Sequence, residues 1–321
     1  MSTDDIMRLP MCGAAWDKVQ NAANSDWGSA CLFDNECQHD VKTLAGALVA
    51  VRTEDAAMRD KVISGLQSAM RSQLYRALEA SRGMQSYIIA ADIIGYRTPE
   101  FEDWIRNTLA APIQGHSGTG ILGTAYNSSN NWGGHARATV AAAAIYLGDA
   151  EMKQNVTDAH KAFIGVDAPN TMVYSSTNWH ATSDNKAGVN RKGATIQGIN
   201  VSGVLPEDWR RAAEFKWPPD VTGYMWEGMQ GFVVTAVILH RDEANPDRVP
   251  FDAGDNAVVR AMDMLYGTGE AAANTPVYWN PAVGDDSWIP WLVNYYAVTS
   301  FPTSATSPGK GMGWTDWTHA R

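Results

Sequence analysis

No stretch of this sequence approaches the ~20 consecutive apolar residues of a membrane-spanning helix, so none reads as one and no membrane partner is expected. Cations are also short. The 321 residues carry 25 Lys and Arg against 35 Asp and Glu, a formal net charge of −10. Such a chain is repelled by nucleic acid and by anionic lipid. Cysteine is scarce: Cys12, Cys31 and Cys37 are the whole supply. No Cys/His cluster has zinc spacing and no acidic run resembles a calcium loop, so no metal and no cofactor is expected. A Cys31–Cys37 disulfide fits an exported protein, and three free thiols fit a cytosolic one. The opening residues MSTDDIMRLP lack a basic segment followed by an apolar one. Either the chain is not exported by that route or its leader has already been removed.

What is present is apolar and aromatic. Hydrophobic residues make up 45% of the chain, enough for one large core or two domains. Thirteen tryptophans are many for this length. Most are expected in the core, although indole faces also stack on sugar rings. Residues 1–40 read as a loop-rich lead-in. From Val41 apolar residues recur at helical spacing through VKTLAGALVAVRT, then EDAAMRDKVISGLQSAMRSQLYRALEA, then SRGMQSYIIAADIIG, with Gly95 as a C-cap. Pro99 and acids open EFEDWIRNTLAA. A Gly/Ser/Asn-rich loop over 115–130 precedes a helix over about 134–147, and AEMKQNVTDAHKAFIG follows. Residues 165–204 break the rhythm, with brief β-like runs in TMVYSS and GATIQGINVSG; a connection this long is functional or disordered. Helices over 224–240, about 256–266 and one within the C-terminal part complete the pattern, ahead of a Gly/Trp-rich tail. The expectation is one all-α domain over 1–321, built of antiparallel helix pairs that curl into an incomplete α/α toroid with long cleft-forming loops.

Three segments carry chemistry: Asn130-Asn131-Trp132, the loop at Asn178-Trp179-His180, and Arg210-Arg211 with Tyr224 at a helix mouth. The order NNW, a small-residue helix ending in LGD, then LP-x-x-x-x-R and Y-x-x-x-x-x-QG-x-VV resembles the alginate lyase superfamily of polysaccharide lyases. The resemblance covers roughly residues 40–300. It implies an α/α toroid and β-elimination on a uronate polymer, alginate or glucuronan first. Carried over by motif, the site asparagine falls on Asn131, the arginine on Arg211 with Arg210 beside it, and the tyrosine on Tyr224. Trp132 stands where some members have His, so the histidine comes from elsewhere: His180, with His135 as the alternative.

The chemistry explains those residue types. The C5 proton of a uronate is weakly acidic until its carboxylate is neutralised, and Asn131 and His180 can supply that by hydrogen bonding. Tyr224 then removes the C5 proton and returns one to the glycosidic oxygen. Free tyrosine ionises only near pH ~10, so a nearby guanidinium is needed. Lys186, Arg191, Lys192, Arg210, Arg211 and Lys216 make a local basic surplus on an acidic protein, as an anionic polymer requires. Asn130, Trp132, Trp179, Arg82 and Gln85 are further substrate-contact candidates. His116, His160, His240 and His319 read as structural or solvated.

Each residue alone has a plainer reading: Asn130-Asn131 as a helix cap, Arg211 as an ion pair with Glu207 or Asp208, Tyr87 as core. Two rivals come from other classes. A glycoside hydrolase would use two carboxylates, from Glu227, Asp285 and Asp286. A glycan-binding protein would use the tryptophans without the Arg–Tyr pair. The leading expectation is a carbon–oxygen lyase, secreted or periplasmic and monomeric, whose partner is an anionic polysaccharide.

Overall fold

The computed structural model describes residues 2–320 apart from 167–171, 176, 183–185, 221, 244, 275–281, 283 and 308–310. Those residues form an all-α chain. In order the helices are α1 (Thr3–Arg8), α2 (Ala14–Asn24), α3 (His39–Thr53), α4 (Ala56–Ala69), α5 (Ala77–Ile93), α6 (Pro99–Ala110), α7 (Gly120–Asn127), α8 (Asn131–Leu147) and α9 (Ala150–Ile164). After a long connection come α10 (Pro206–Trp209), α11 (Tyr224–Arg241), α12 (Ala253–Tyr266), α13 (Ile289–Ala297) and α14 (Thr315–Thr318). That connection contributes one small hairpin, β1 (Thr195–Ile196) antiparallel to β2 (Ile199–Asn200).

Local chemistry sets several boundaries. Thr98 caps α6 by accepting from Phe101 N at 3.2 Å, with Pro99 at the first helical position. Gly148 at φ +66° stops α8, and Asp149 caps α9 through Met152 N at 3.0 Å. The regular part of α12 begins only after Asn256, because residues 254–256 all have positive φ.

Several expectations change. The lead-in over 1–40 holds two helices, α1 and α2, rather than loop alone. The run expected as one helix from Glu54 divides into α4 and α5, because Arg76 turns extended and Ala77 N bonds across to Gln114 O at 2.8 Å. The Gly-rich loop over 115–130 folds α7 inside it. The β-like run TMVYSS lies partly outside the described residues; within it Val173 makes an isolated bridge to Ser128. The terminal GWTDW segment is packed, not a free tail. Trp314 donates to Val41 O at 3.0 Å, Trp317 donates to Pro10 O at 2.8 Å, and Lys18 pairs with Asp316 at 2.6 Å.

Three inner helices, α5, α8 and α11, position the site. Asn131 meets Glu227 at one end of α8 and α11, and Gly134 meets Gly231 one turn on. These pairs advance together along both helices, so α8 and α11 run the same way. Helix α5 runs with them: Thr139 Oγ1 donates to Ser81 O at 2.7 Å, and Tyr146 further along reaches Tyr96 O. The three N-terminal ends therefore lie at one end of the core. The crossing of α8 and α11 needs a glycine at 231, since a Cβ there would sit 2.2 Å from the Gly134 carbonyl carbon, whereas a Cβ on Gly134 would come no nearer than 3.5 Å to Phe232 N.

Candidate active site

Helix α8 begins at the site because Asn130 is its N-cap, accepting from Gly133 N at 3.3 Å. Asn131 follows at the first helical position. Its backbone N–H donates to Asp208 Oδ1 at 2.9 Å, and its side-chain amide donates to Glu227 Oε2 at 3.1 Å. One N–H of that amide remains for another acceptor. Glu227 lies three residues beyond Tyr224 on α11, so the carboxylate that Asn131 meets is carried about one helical turn from the tyrosine.

Tyr224 opens α11, and Arg211 Nη2 donates to its hydroxyl at 2.9 Å. The same guanidinium covers the ring, 4.3 Å from its centroid. Arg210 turns the other way and meets Glu207 Oε2 at 3.3 Å. The two arginines thus divide their roles. Arg211 is not the partner of Glu207 or Asp208; the ion pair with Glu207 belongs to Arg210.

Glu207 is the hub behind His180. His180 Nε2 lies 3.1 Å from Glu207 Oε1, and Ser175 donates to the carboxylate from its backbone at 3.0 Å and from its hydroxyl. Burial pushes the Glu207 carboxyl up, but the hydrogen bonds from His180 and Ser175 outweigh it and hold the acid below its ordinary value. The Tyr174 ring stands edge-on to His180 at 5.4 Å. His180 also borders a cavity of about 320 Å³ whose wall carries Lys186, Arg191 and Lys192. The basic surplus of the long connection is thereby gathered beside the histidine.

Two further acids belong to this end of the core. Burial raises the Asp208 carboxyl to about 8, with the charges of Glu207 and Glu227 adding to it and the Asn131 N–H opposing. Burial likewise raises Asp286 to about 7, again helped by Asp285 and Glu227 and opposed by its hydrogen bond from Gln230 Nε2 at 2.7 Å. A carboxyl kept protonated adds no negative charge to the site.

Other expected contacts fall elsewhere. Trp179 is 0% exposed, donates to Ala213 O at 2.9 Å and stands edge-on to Trp209 and Phe215, so it is a core residue and not a sugar platform. His135 is 1% exposed inside α8 and offers no surface to a ligand. Gln85 is fully buried on α5, with its amide near Arg82 O at 3.4 Å. Lys216 is a surface residue paired with Asp220 at 2.7 Å. Trp132 is half-buried at the site, with its ring 5.8 Å from the Arg76 guanidinium and 5.9 Å from the His116 ring.

His116 was not expected here. Its Nε2 lies 3.1 Å from Asn130 Nδ2, and its Nδ1 lies 3.0 Å from Ser117 Oγ. An amide donor on Nε2 leaves the proton on Nδ1, so the ring is neutral. Burial and then Arg210 lower its pKa, in agreement. Its sequence signal was faint: a histidine in the glycine-rich loop just before NNW. Asp208 and Gln230 gave no signal, because their roles depend on contacts 77 and 56 residues away.

No family model matches this chain, and no curated protein matches it.

Proposed function

We propose that the protein is a polysaccharide lyase that cleaves an anionic uronate polymer by β-elimination in a cleft of an incomplete α/α toroid. The observation that carries this reading is the Arg211–Tyr224 hydrogen bond, beside an asparagine at a helix N-terminus and a carboxylate-backed histidine. A guanidinium on the phenol oxygen stabilises negative charge there as the hydroxyl proton leaves. Tyr224 is then the group that takes the C5 proton and returns a proton to the glycosidic oxygen. Asn131, through its remaining amide N–H, and His180, held by Glu207, neutralise the uronate carboxylate as charge spreads into it. Lys186, Arg191 and Lys192 supply local attraction for a polyanion. The protonated state of Asp208 limits the repulsion. A secreted or periplasmic location agrees with the Cys31–Cys37 disulfide, and Cys12 is free and exposed.

The test is a panel of uronate polymers followed by ultraviolet absorbance of the unsaturated product. Activity on one of them is expected, and Tyr224→Phe abolishes it while circular dichroism stays unchanged. Near-normal turnover in that variant sinks the mechanism.

One observation favours a second reading. Asp286, raised to about 7 and in electrostatic reach of Glu227, has the character of the proton donor in a glycoside hydrolase. That enzyme would release new reducing ends without ultraviolet absorbance, and Asp286→Asn rather than Tyr224→Phe would silence it.

A further inference from the structure

Three arginines are buried among the described residues, and two of them are structural. Arg137 donates to Ser128 O at 2.6 Å and Ala125 O at 3.3 Å. Arg260 donates to Gly254 O at 2.6 Å, Asn190 O at 3.3 Å and Asp255 O. Arg82 differs. It is 8% exposed, its Nε has no hydrogen-bond partner, and its one hydrogen bond is a long 3.4 Å contact to Gln230 Oε1. No described carboxylate lies within ion-pairing distance. Glu79, one turn earlier on α5, is taken by Arg76. Arg137 and Arg260 also lack an ion pair, but backbone carbonyls accept from their guanidinium groups, whereas the Arg82 fork is left almost without acceptors; Asp286 is in electrostatic reach of it but not in contact. A buried charge left without hydrogen bonds is costly.

We propose that Arg82 and Gln230 form a carboxylate subsite for a sugar acid. A guanidinium presents a planar fork that matches a carboxylate with two parallel N–H···O bonds. Gln230 is fixed beside it, since its Nε2 is held by Asp286 and its Oε1 faces Arg82. An amide oxygen so placed accepts from a sugar hydroxyl. Gln230 lies three residues beyond Glu227, the residue that Asn131 touches, which is about 4.5 Å further along α11. The subsite therefore takes the carboxylate of a sugar next to the reacting one. The identity of the ligand as a uronate rests on the lyase reading; the demand for an anion at Arg82 does not.

The experiment uses the full chain carrying Tyr224→Phe, so that nothing is turned over. Saturated tri-mannuronate and tri-glucuronate, and their carboxyl-reduced neutral counterparts, are titrated calorimetrically with and without Arg82→Gln. Loss of a charge-assisted pair in a dry site is expected to weaken binding of one acid sugar about 10- to 100-fold. Affinity for the neutral sugar stays within about twofold. Equal affinity of both proteins for the acids, an equal loss for acid and neutral sugars, or no acid binding by the parent overturns the proposal. Arg82→Met supplies a readout free of ligand. Its melting temperature is expected to match or exceed that of the parent, and a large drop would show a structural arginine and also overturn the proposal. If the wild type makes no unsaturated product while acid binding still depends on Arg82, the lyase reading falls and the anion subsite stands.

Discussion

At the scale of single residues, the most exacting position is Asp208. Its Oδ1 holds the first N–H of α8, while its Oδ2 presses on α11, where a Cβ on Gly228 would stand 2.6 Å away. Burial raises its carboxyl to about 8, well above the ~3.9 of an exposed aspartate. The folded state therefore holds a proton that the unfolded chain releases. That contribution to stability is complete at low pH, below the unfolded value, and is lost as pH climbs through about 8. Asp208→Asn keeps the acceptor and removes the titration, at a roughly constant cost of ~1–3 kcal/mol for an unpaired amide. Stability of the variant relative to wild type should rise steadily from pH 5 to pH 8, by on the order of 4 kcal/mol. Urea unfolding of both proteins across that range checks it, and parallel pH profiles would refute a protonated Asp208. His160 and His319, lowered by burial to about 3, act in the opposite sense: their stability is present above the ordinary histidine pKa and is lost as pH falls below it. Both proteins share them, so the difference isolates Asp208.

At the scale of elements, the crossing of α8 and α11 decides whether there is a site at all. Asn131, Glu227 and Tyr224 are brought together by two helices touching at Gly134 and Gly231. A methyl at Gly231 would run into the peptide bond between Gly134 and His135, at 2.2 Å from Gly134 C and 2.2 Å from His135 N. Backbone cannot step aside as a flexible side chain can. Gly231→Ala is expected to cost about 1–3 kcal/mol or more through overpacking. Any protein that folds should lose the Asn131–Glu227 contact and most of its activity. Gly223→Ala, where a Cβ meets nothing within 4 Å, is the matched control. Denaturant midpoints that coincide for the two variants would show that the crossing tolerates a methyl. Much of α8 was readable from its small-residue run and its LGD ending. Its start, three residues earlier than the periodicity indicated, agrees with the reading of Asn130 as a cap; what the sequence did not show is the carboxylate of Asp208, far away in the chain, on the Asn131 N–H.

At the scale of the whole molecule, charge is distributed against its average. The chain carries −10 overall, yet Lys186, Arg191 and Lys192 line the cavity at His180, and Arg210 and Arg211 flank Glu207 and Tyr224. Attraction of this kind is local and is screened within ~10 Å at 0.1 M salt. The KM for a uronate polymer should therefore rise with ionic strength, while kcat changes little. A KM indifferent to salt between low and physiological ionic strength would remove these cations from substrate binding. The two ends of the chain show the same dependence on the whole. Trp16 and Trp317 lie 5.0 Å apart, so a lead-in and a tail that look irregular in isolation are ordered by packing on each other.

What the amino-acid order determined by itself was the local physics: helical periodicity, proline and acid at helix starts, and glycine at helix ends. It also pointed to Asn131, Arg211 and Tyr224, because each lies in a short motif whose parts are near neighbours in the chain. Tertiary structure alone decided the rest. It separated Arg210 from Arg211 by giving one to Glu207 and the other to Tyr224. It withdrew Trp179, His135 and Gln85 into the core, although as sequence they look as available as Trp132. It also raised Asp208 and Asp286, since a carboxyl changes its affinity for protons only when distant parts of the chain close over it and take its water away.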